Sequence, residues 1–201
     1  TFRFVLNKRN FAEDASKLPN SVWVKTAPSV IKTHSLEEDI STEVVIIGAG
    51  YTGLSAALHL APDISPVVIE ANEVGYGASG RNNGLVIPTL SKADPEEIIR
   101  IFGQEKGEQT IALIRDSASL VFNLIRKHNM EKAGEQTGWI QPAHSPGRMK
   151  LIEKRVTQWR KRGLKADILD KEQLEGLVGS SAWFGGWIAH DGGTIHPMAY
   201  V

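Results

Sequence analysis

Cysteine is absent from the 201 residues, which excludes disulfides, thiol nucleophiles and metal sites built on cysteine sulfur. A surplus of charge of one sign is also absent, because 23 Lys and Arg residues are balanced by 23 Asp and Glu residues. This balance gives no reason to expect a nucleic acid or a membrane surface as a partner. With 41% hydrophobic residues, the chain has enough apolar material for the core of one or two domains.

Long apolar runs are missing too. None reaches the roughly 18 residues that a membrane-spanning helix requires. The first ten residues, "TFRFVLNKRN", lack the apolar core and small-residue cleavage site of a signal peptide. The default expectation is a cytoplasmic protein without a membrane partner.

One stretch, residues 149–165, is locally basic ("MKLIEKRVTQWRKRGLK"). Its apolar residues recur at helical spacing and form one stripe, so the basic residues fall on the opposite face. A solvated helix face is favoured over a patch for nucleic acid.

Residues Glu43–Glu70 have the pattern of a β-turn-α-β unit. "EVVII" is a run of β-branched residues that predicts a strand buried on both faces. A helix is predicted from Gly53 to about Ala61 and is ended by Pro62, since proline interrupts the hydrogen-bond ladder. "SPVVIE" then predicts a second strand.

The turn of this unit carries glycines in a G-x-G-x-x-G frame. Gly48 permits the tight turn, Gly50 lets a pyrophosphate approach the backbone, and Gly53 lets the helix pack closely on the strand. The helix N-terminus offers unpaired N–H groups to phosphates. Glu70 follows Gly48 by 22 positions and ends the second strand, where a carboxylate accepts hydrogen bonds from ribose hydroxyls and repels a 2′-phosphate. NADP is therefore disfavoured.

A second glycine-rich loop, "GYGASGRNNG" at residues 75–84, begins five positions after Glu70. Its four glycines expose backbone, and Ser79, Asn82 and Asn83 add hydroxyl and amide donors. Such a loop suits more pyrophosphate and the polar edge of a flavin ring; the alternative is a flexible surface loop.

The chain resembles the FAD-dependent oxidoreductases of the D-amino-acid oxidase and glycine oxidase type, particularly the branch that contains gamma-glutamylputrescine oxidoreductase. "IIGAGYTGLSAALHL" and "VGYGASGRNNG" are similar to the two FAD motifs of the family. "SVWVKTAP" and "GGTIHPMAYV" resemble its N-terminal arm and the segment that returns to its FAD domain.

The resemblance implies a set of residues that contact FAD. Contact with the pyrophosphate is assigned to Gly48, Gly50, Thr52 and Gly53, and contact with the adenosine ribose to Glu70 and Ala71. The phosphate and flavin side is assigned to Gly77, Ser79, Arg81, Asn82, Asn83 and Gly84. Relatives often have glycine where this chain has Asn83, so Asn83 is expected to adopt a positive φ. Some relatives attach FAD through a histidine near this loop. Since residues 75–84 contain no histidine and the chain no cysteine, noncovalent FAD is expected.

The resemblance also implies a fold and an activity. The expected fold is α/β, with a Rossmann-like FAD-binding βαβ domain, the beginning of an α+β substrate domain, and truncation relative to the family. The expected reaction is oxidation of a small-molecule amine or amino acid: a hydride passes from carbon to flavin N5, the imine hydrolyses, and oxygen or another acceptor reoxidises the flavin. No catalytic residue is assigned. Two alternatives stay open, a non-catalytic dinucleotide-binding fragment and an FAD module of a larger tRNA-modifying protein.

Four segments are expected: an N-terminal arm at 1–40, an FAD-binding part with inserted helices at 41–135, the first part of a substrate domain at 136–190, and a return toward the FAD domain at 191–201. The arm is expected to be extended and anchored by Trp23. Because family members are about twice as long, the chain is expected to be a fragment that forms homo-oligomers or aggregates without its remainder.

The later sequence predicts further elements. A helix capped by Asp94 is expected with Pro95 in its first turn, and further helices are expected over about 107–129 and from Met149 to a stop at Gly163. Strands are expected at "GWIQPA" and "KADIL". Asp170 and Gln173 predict a capping box. Residues 183–201 predict paired strands and turns, with Trp183 and Trp187 on one side of a strand. His190, Asp191 and His196 could be drawn as a metal site, but structural or solvent-facing roles are favoured, and no metal is expected.

Overall fold

The computed structural model describes the backbone of residues 2–4 and all of residues 18–28 and 32–201. Within these residues the α-helices are α1 (Val22–Thr26), α2 (Tyr51–Leu60), α3 (Pro95–Phe102), α4 (Gln104–Lys127), α5 (Pro146–Arg160), α6 (Lys171–Val178) and α7 (Pro197–Tyr200). The β-strands are β1 (Phe2–Phe4), β2 (Ile40–Thr42), β3 (Val45–Ile47), β4 (Val67–Ile69), β5 (Leu85–Val86), β6 (Gly134–Glu135), β7 (Trp139–Pro142), β8 (Ala166–Leu169), β9 (Gly186–Ala189) and β10 (Gly193–Ile195).

The chain divides into two compact units. The first contains the described residues up to Asn83 together with His196–Val201, and the second contains Gly84–Ile195. The four segments expected from the sequence stay a prediction. No helix in the described ranges combines the length and apolarity required to cross a membrane.

The first unit contains the predicted β-turn-α-β arrangement. β3 and β4 are parallel, with Val45 opposite Val67 and Ile47 opposite Ile69. α2 connects them and ends at Leu60, two residues before Pro62, as the missing N–H of proline requires. The βαβ prediction is confirmed.

The prediction that β3 is buried on both faces is wrong for one residue. Ile47 is 81% exposed, and Val45 and Ile46 are half-buried. The sheet that contains β3 has two strands in the described residues, so one face of this apolar strand lacks the cover that parallel sheets normally have.

The N-terminal arm is less irregular than its sequence suggests. Residues 22–26 form α1, which is capped by Ser21: its Oγ accepts a hydrogen bond from Val24 N at 3.3 Å. The expectation of an extended arm is therefore wrong here, because a single capped turn is too short to show helical periodicity. Trp23 is half-buried and packs edge-to-face on His196, with ring centroids 5.0 Å apart. Residues 5–17 and 29–31 of the arm lie outside the described residues.

The second unit is built on four helices and two three-stranded sheets in the described chain. Pro95 occupies the first turn of α3, and α4 follows directly after Gly103. The core of the second unit includes the fully buried Trp159 of α5 and Trp187 of β9. The capping box of Asp170 and Gln173 at the start of α6 is confirmed.

Asp94 and Arg155 of α5 differ from their predicted roles. Asp94 is the N-cap residue of α3 but makes no side-chain capping bond; its Oδ1 accepts a hydrogen bond from Arg155 Nε at 2.6 Å. The Arg155 side chain is only 12% exposed, so a solvated face is the wrong description for it. Arg162, which follows α5, forms an ion pair with Glu108.

The two strands near the chain end belong to different sheets. β9 lies between β7 and β8, whereas β10 lies between β5 and β6, all in antiparallel pairs. Residues 197–200 are helical. The prediction of paired strands and turns over residues 183–201 is confirmed for β9 and β10, whose partners are distant in sequence, and is wrong for residues 197–200, which are helical. Trp183 precedes β9, so it does not share a strand face with Trp187.

Candidate functional site

The first glycine motif forms a tight turn between β3 and α2. Gly48 has φ of 103°, a conformation that favours glycine, and its N–H donates to the Ile69 carbonyl at 2.7 Å. A Cβ on Gly53 would lie 2.0 Å from the Gly48 carbonyl oxygen and 3.2 Å from Ile46 Cγ2. These contacts match the predicted uses of the two glycines, a turn and close packing of the helix on the strand.

The N-terminus of α2 presents backbone donors. The first intrahelical bond is donated by Leu54 N to the Gly50 carbonyl at 3.0 Å. Tyr51 N donates to Ser79 Oγ at 2.9 Å. The N–H groups of Thr52 and Gly53 have no acceptor within the helix, as in any first helical turn. A Cβ on Gly50 would meet Ser79 Oγ at 2.8 Å, so the missing side chain makes room for the Ser79 hydroxyl beside the helix N-terminus.

Glu70 is held by backbone amides on both carboxylate oxygens. Oε2 accepts from Ala49 N at 2.7 Å, and Oε1 accepts from Asn72 N at 3.0 Å. Ala71, between these two positions, is exposed. Each carboxylate oxygen has a second lone pair, so the group can still accept bonds from two hydroxyls. The sequence motif predicts Glu70 but gives no signal for Asn72.

The second glycine loop packs on the first. Gly75, with φ of 75°, donates its N–H to the Ala49 carbonyl at 3.0 Å. Ala78–Gly80 form one turn of 3₁₀ helix. A Cβ on Gly80 would lie 2.3 Å from both the Gly75 carbonyl oxygen and Met198 Sδ, whereas one on Gly77 would meet nothing within 4 Å. Gly80 is thus a packing residue that the sequence prediction omits, and the open side of Gly77 allows close approach to the backbone.

The polar residues of the loop have defined partners. Asn82 Nδ2 donates to the Ser79 carbonyl at 2.9 Å and to Tyr51 Oη at 3.3 Å. Arg81 donates from Nε to the Tyr76 carbonyl at 2.6 Å, and its guanidinium lies 4.6 Å from the centroid of the Tyr76 ring. The side chain of Arg81 is exposed and braces the loop; contact with a cofactor stays a prediction.

The expectation for Asn83 is wrong. Asn129 is the one non-glycine residue with positive φ in the described ranges, whereas the positive φ near Asn83 belongs to Gly84, at 74°. The strained position thus falls on the residue that tolerates it without a side-chain clash. Gly84 begins the second unit, where its carbonyl accepts from Ile195 N at 2.7 Å.

Tyr51 is a part of this region that the sequence prediction omits, and it contacts the segment after β10, which the sequence predicts to return toward the FAD domain. The Tyr51 hydroxyl donates to the Pro197 carbonyl at 3.3 Å, and its ring lies edge-to-face on Tyr200 at 5.4 Å. Burial raises the pKa of Tyr51 above its ordinary 10.0, and the hydrogen bond from Asn82 opposes that shift. Burial, and then the facing Tyr51, also raise the pKa of Tyr200.

The histidines considered as metal ligands have other partners. His190 Nε2 lies 2.7 Å from Asp167 Oδ2, and the pKa of Asp167 is held below its ordinary 3.8 by His190 first and then by Arg160. His196 caps α7 by accepting a hydrogen bond from Ala199 N on Nδ1, and its Nε2 lies 2.9 Å from Thr26 Oγ1. Over the ranges that the structure describes, no three potential ligands form a metal site.

Comparison with known proteins identifies the family. A family model described as "FAD dependent oxidoreductase" (DAO) matches residues 43–201, most of the chain. The chain belongs to the DAO family. The family prediction from the two glycine motifs is therefore confirmed, as is FAD as the family's cofactor.

Among curated proteins, the DAO chain is similar to gamma-glutamylputrescine oxidoreductase of Escherichia coli (strain K12). The two are 29% identical over 181 residues, which is 89% of this chain and 42% of the relative. Among solved structures, it is similar to the L-amino acid deaminase from Proteus myxofaciens in complex with anthranilate, with a TM-score of 0.69 and 20% identity over 87% of this chain and 37% of that one.

The glycine oxidase from Geobacillus kaustophilus gives a TM-score of 0.59 at 20% identity, with coverage of 79% of this chain and 42% of the other. At these identities, the structures support the fold, and the expected α/β fold with an FAD-binding βαβ unit is confirmed. The DAO chain spans about two fifths of the length of these proteins, so the predicted truncation relative to the family is confirmed too.

The residues of the first unit fit FAD. Gly50 makes room for the Ser79 hydroxyl beside two helix N–H groups that lack intrahelical acceptors, and Glu70 is fixed with acceptor capacity remaining. A Cβ on Gly48 or Gly77 would meet nothing within 4 Å, so the space beside both backbones is open. Donors for phosphate and an acceptor for ribose hydroxyls therefore lie in the same compact unit.

Proposed function

We propose that the protein containing this chain uses noncovalent FAD to oxidise the C–N bond of a small-molecule amine or amino acid. The observation that carries the proposal is the assembly of both glycine motifs in one unit, where Tyr51 N donates to Ser79 Oγ and Gly75 N donates to the Ala49 carbonyl. The class of substrate is supported by what the similar proteins are named for: a gamma-glutamylputrescine, an L-amino acid and glycine.

In this proposal the backbone of the first motif binds the pyrophosphate. Gly48 and Gly50 give access to the turn, and the N–H groups of Thr52 and Gly53 donate to phosphate oxygens, favoured by the positive end of the helix dipole. Ser79 lies at the same helix end and can present its hydroxyl proton, since its oxygen already accepts from Tyr51 N.

Glu70 recognises the adenosine ribose. Its carboxylate is oriented by Ala49 N and Asn72 N, with Ala71 exposed beside it, and accepts bonds from the two ribose hydroxyls. A phosphate on the 2′ oxygen would place like charges together, which disfavours NADP. Gly77, Arg81, Asn82, Asn83 and Gly84 stay assigned to the phosphate and flavin side.

Bound FAD supplies the two-electron acceptor for amine oxidation, and the imine product hydrolyses in water. The amine must bind in its neutral form, because the carbon–hydrogen bond is broken with help from the nitrogen lone pair. No side chain of the described residues is assigned as a catalytic base. Oxygen or another acceptor as oxidant, a cytoplasmic location and a homo-oligomeric state stay predictions from the sequence.

The test is an anaerobic titration of the full-length protein with a panel of amines. The panel contains a primary amine, a secondary amine, glycine, and one D- and one L-amino acid. We expect one class to bleach the oxidised flavin absorbance and air to restore it. A protein that holds FAD but is reduced by dithionite and by none of the amines would contradict the proposed reaction. A protein that holds no FAD would contradict the site as well.

A further inference from the structure

Tyr51 occupies a variable position of the glycine motif, directly after Gly50, and the motif itself requires no side chain there. Its ring is nevertheless half-buried, edge-to-face with Tyr200. A bulky polar residue at the start of the helix that is proposed to bind pyrophosphate therefore has packing and hydrogen bonds that the motif does not explain.

Tyr51 contacts two segments that are far from it and from each other in the sequence. Its backbone N–H donates to Ser79 Oγ at 2.9 Å. Its hydroxyl accepts from Asn82 Nδ2 at 3.3 Å and donates to the Pro197 carbonyl at 3.3 Å. One residue of α2 is thus bonded to both sides of the turn 79–82 and to the first residue of α7.

The segment of α7 also supports the second loop directly. Met198 Sδ would lie 2.3 Å from a Cβ on Gly80 and 3.2 Å from one on Gly75. Val201 would lie 3.1 Å from the Cβ on Gly75. Since the loop and α7 touch in this way, the Tyr51 hydroxyl is bonded both to the loop, at Asn82, and to the segment that packs on the loop, at Pro197.

We propose that Tyr51 is a positioning residue of the FAD site, whose phenol fastens the loop 75–84 and the segment 196–201 to the N-terminus of α2. The inference rests on the FAD site proposed above but not on the amine reaction. The phenol acts through Pro197 and through Asn82, whose side-chain amide also donates to the Ser79 carbonyl. It raises FAD affinity by keeping the loop in its binding conformation before the cofactor arrives.

The test compares Tyr51→Phe with Tyr200→Phe in the full-length protein. Both changes keep the two rings in contact and remove one hydroxyl, but the Tyr200 hydroxyl makes no hydrogen bond within the described residues. Both phenol bonds of Tyr51 are long, so each contributes at the low end of the range for a hydrogen bond. We expect Tyr51→Phe to weaken FAD binding about fivefold, measured by the fluorescence of released FAD, and Tyr200→Phe to change it less than about twofold.

Two further measurements separate positioning from general stability. Tyr51→Phe is expected to weaken FAD binding by a smaller factor in the Asn82→Ala background than in wild type, because Asn82→Ala already breaks one of the two bonds of the Tyr51 hydroxyl. Thermal unfolding of the FAD-free protein is expected to be nearly the same for Tyr51→Phe and Tyr200→Phe.

The pH dependence of FAD binding distinguishes the hydrogen bonds of the Tyr51 hydroxyl from packing of its ring alone. Tyr200 is the titratable group that faces Tyr51, and burial favours the neutral form of both phenols. The donation to Pro197 is present in full below the ordinary pKa of 10.0 and is lost as the pH rises through the raised pKa of Tyr51. The ratio of the FAD dissociation constants of Tyr51→Phe and wild type should therefore fall toward one above about pH 10.

The inference is overturned if Tyr51→Phe binds FAD as tightly as wild type, if Tyr200→Phe weakens binding equally, or if Tyr51→Phe lowers only the unfolding temperature. All of these outcomes are read from FAD binding and unfolding, so they can be told apart from a failure of amine oxidation. A wild-type protein that binds no FAD would instead overturn the site itself.

Discussion

Replacing Gly53 with alanine is expected to destabilise the FAD-binding unit strongly and to abolish FAD binding by the full-length protein. The new Cβ would lie 2.0 Å from the Gly48 carbonyl oxygen, which belongs to a backbone turn and not to a flexible side chain. Alanine gains about 1 kcal/mol over glycine in helix propensity. A clash with backbone exceeds this gain, so we expect a net loss of about 3 kcal/mol in the free energy of unfolding.

Gly176→Ala is the matched control for this change. Gly176 also lies within a helix, α6, but a Cβ there would meet nothing within 4 Å. The control is expected to be neutral or slightly stabilising and to retain FAD. Thermal unfolding and the flavin absorbance of the purified proteins measure both effects. Full FAD occupancy and wild-type unfolding in Gly53→Ala would show that α2 does not pack on β3 as described.

Replacing Glu70 with alanine is expected to weaken FAD binding by about tenfold to a hundredfold, which corresponds to hydrogen bonds made to a charged group. The change removes the proposed acceptor of the ribose hydroxyls. It also leaves Ala49 N and Asn72 N without their acceptor, so the turn that carries the first glycine motif loses a support. FAD affinity should therefore fall more than it does for Tyr51→Phe.

Glu73→Ala controls for the loss of one negative charge nearby. Glu73 lies three residues later and its side chain makes no hydrogen bond among the described residues, so its removal is expected to change FAD affinity less than about twofold. Dissociation constants from FAD titration of the FAD-free protein measure both variants. Equal affinities for Glu70→Ala and Glu73→Ala would contradict the assignment of the ribose to Glu70.

The sequence was sufficient where local chemistry decides the structure. Gly48 must turn, Gly53 must pack closely and Pro62 must end a helix whatever the rest of the chain does, and all three behave as predicted. The capping box of Asp170 and Gln173 is equally local. Gly48 and Gly53 also define the first half of the candidate site.

Features that depend on distant partners were not predictable in the same way. Asp94 was expected to cap its helix but is bound to Arg155, 61 positions away. The positive φ expected at Asn83 falls on Gly84, whose carbonyl accepts a hydrogen bond from Ile195 N far along the chain. The contacts of Tyr51 could not be predicted from the sequence, because its partners lie in two other segments of the chain.

The exposure of Ile47 also depends on parts of the chain that are distant in sequence. A run of β-branched residues reports that a strand is normally covered, but it does not report which residues provide the cover. In the described residues β3 pairs with β4, and Ile47 stays 81% exposed.

Hydrogen exchange of the full-length protein, with and without saturating FAD, tests the site most directly. We predict that FAD slows exchange most at the backbone amides of residues 49–54 and 70–84, where the two glycine motifs and Glu70 lie. A protein that binds FAD with its strongest protection elsewhere, while these amides exchange as fast as in the FAD-free protein, would contradict the proposed site.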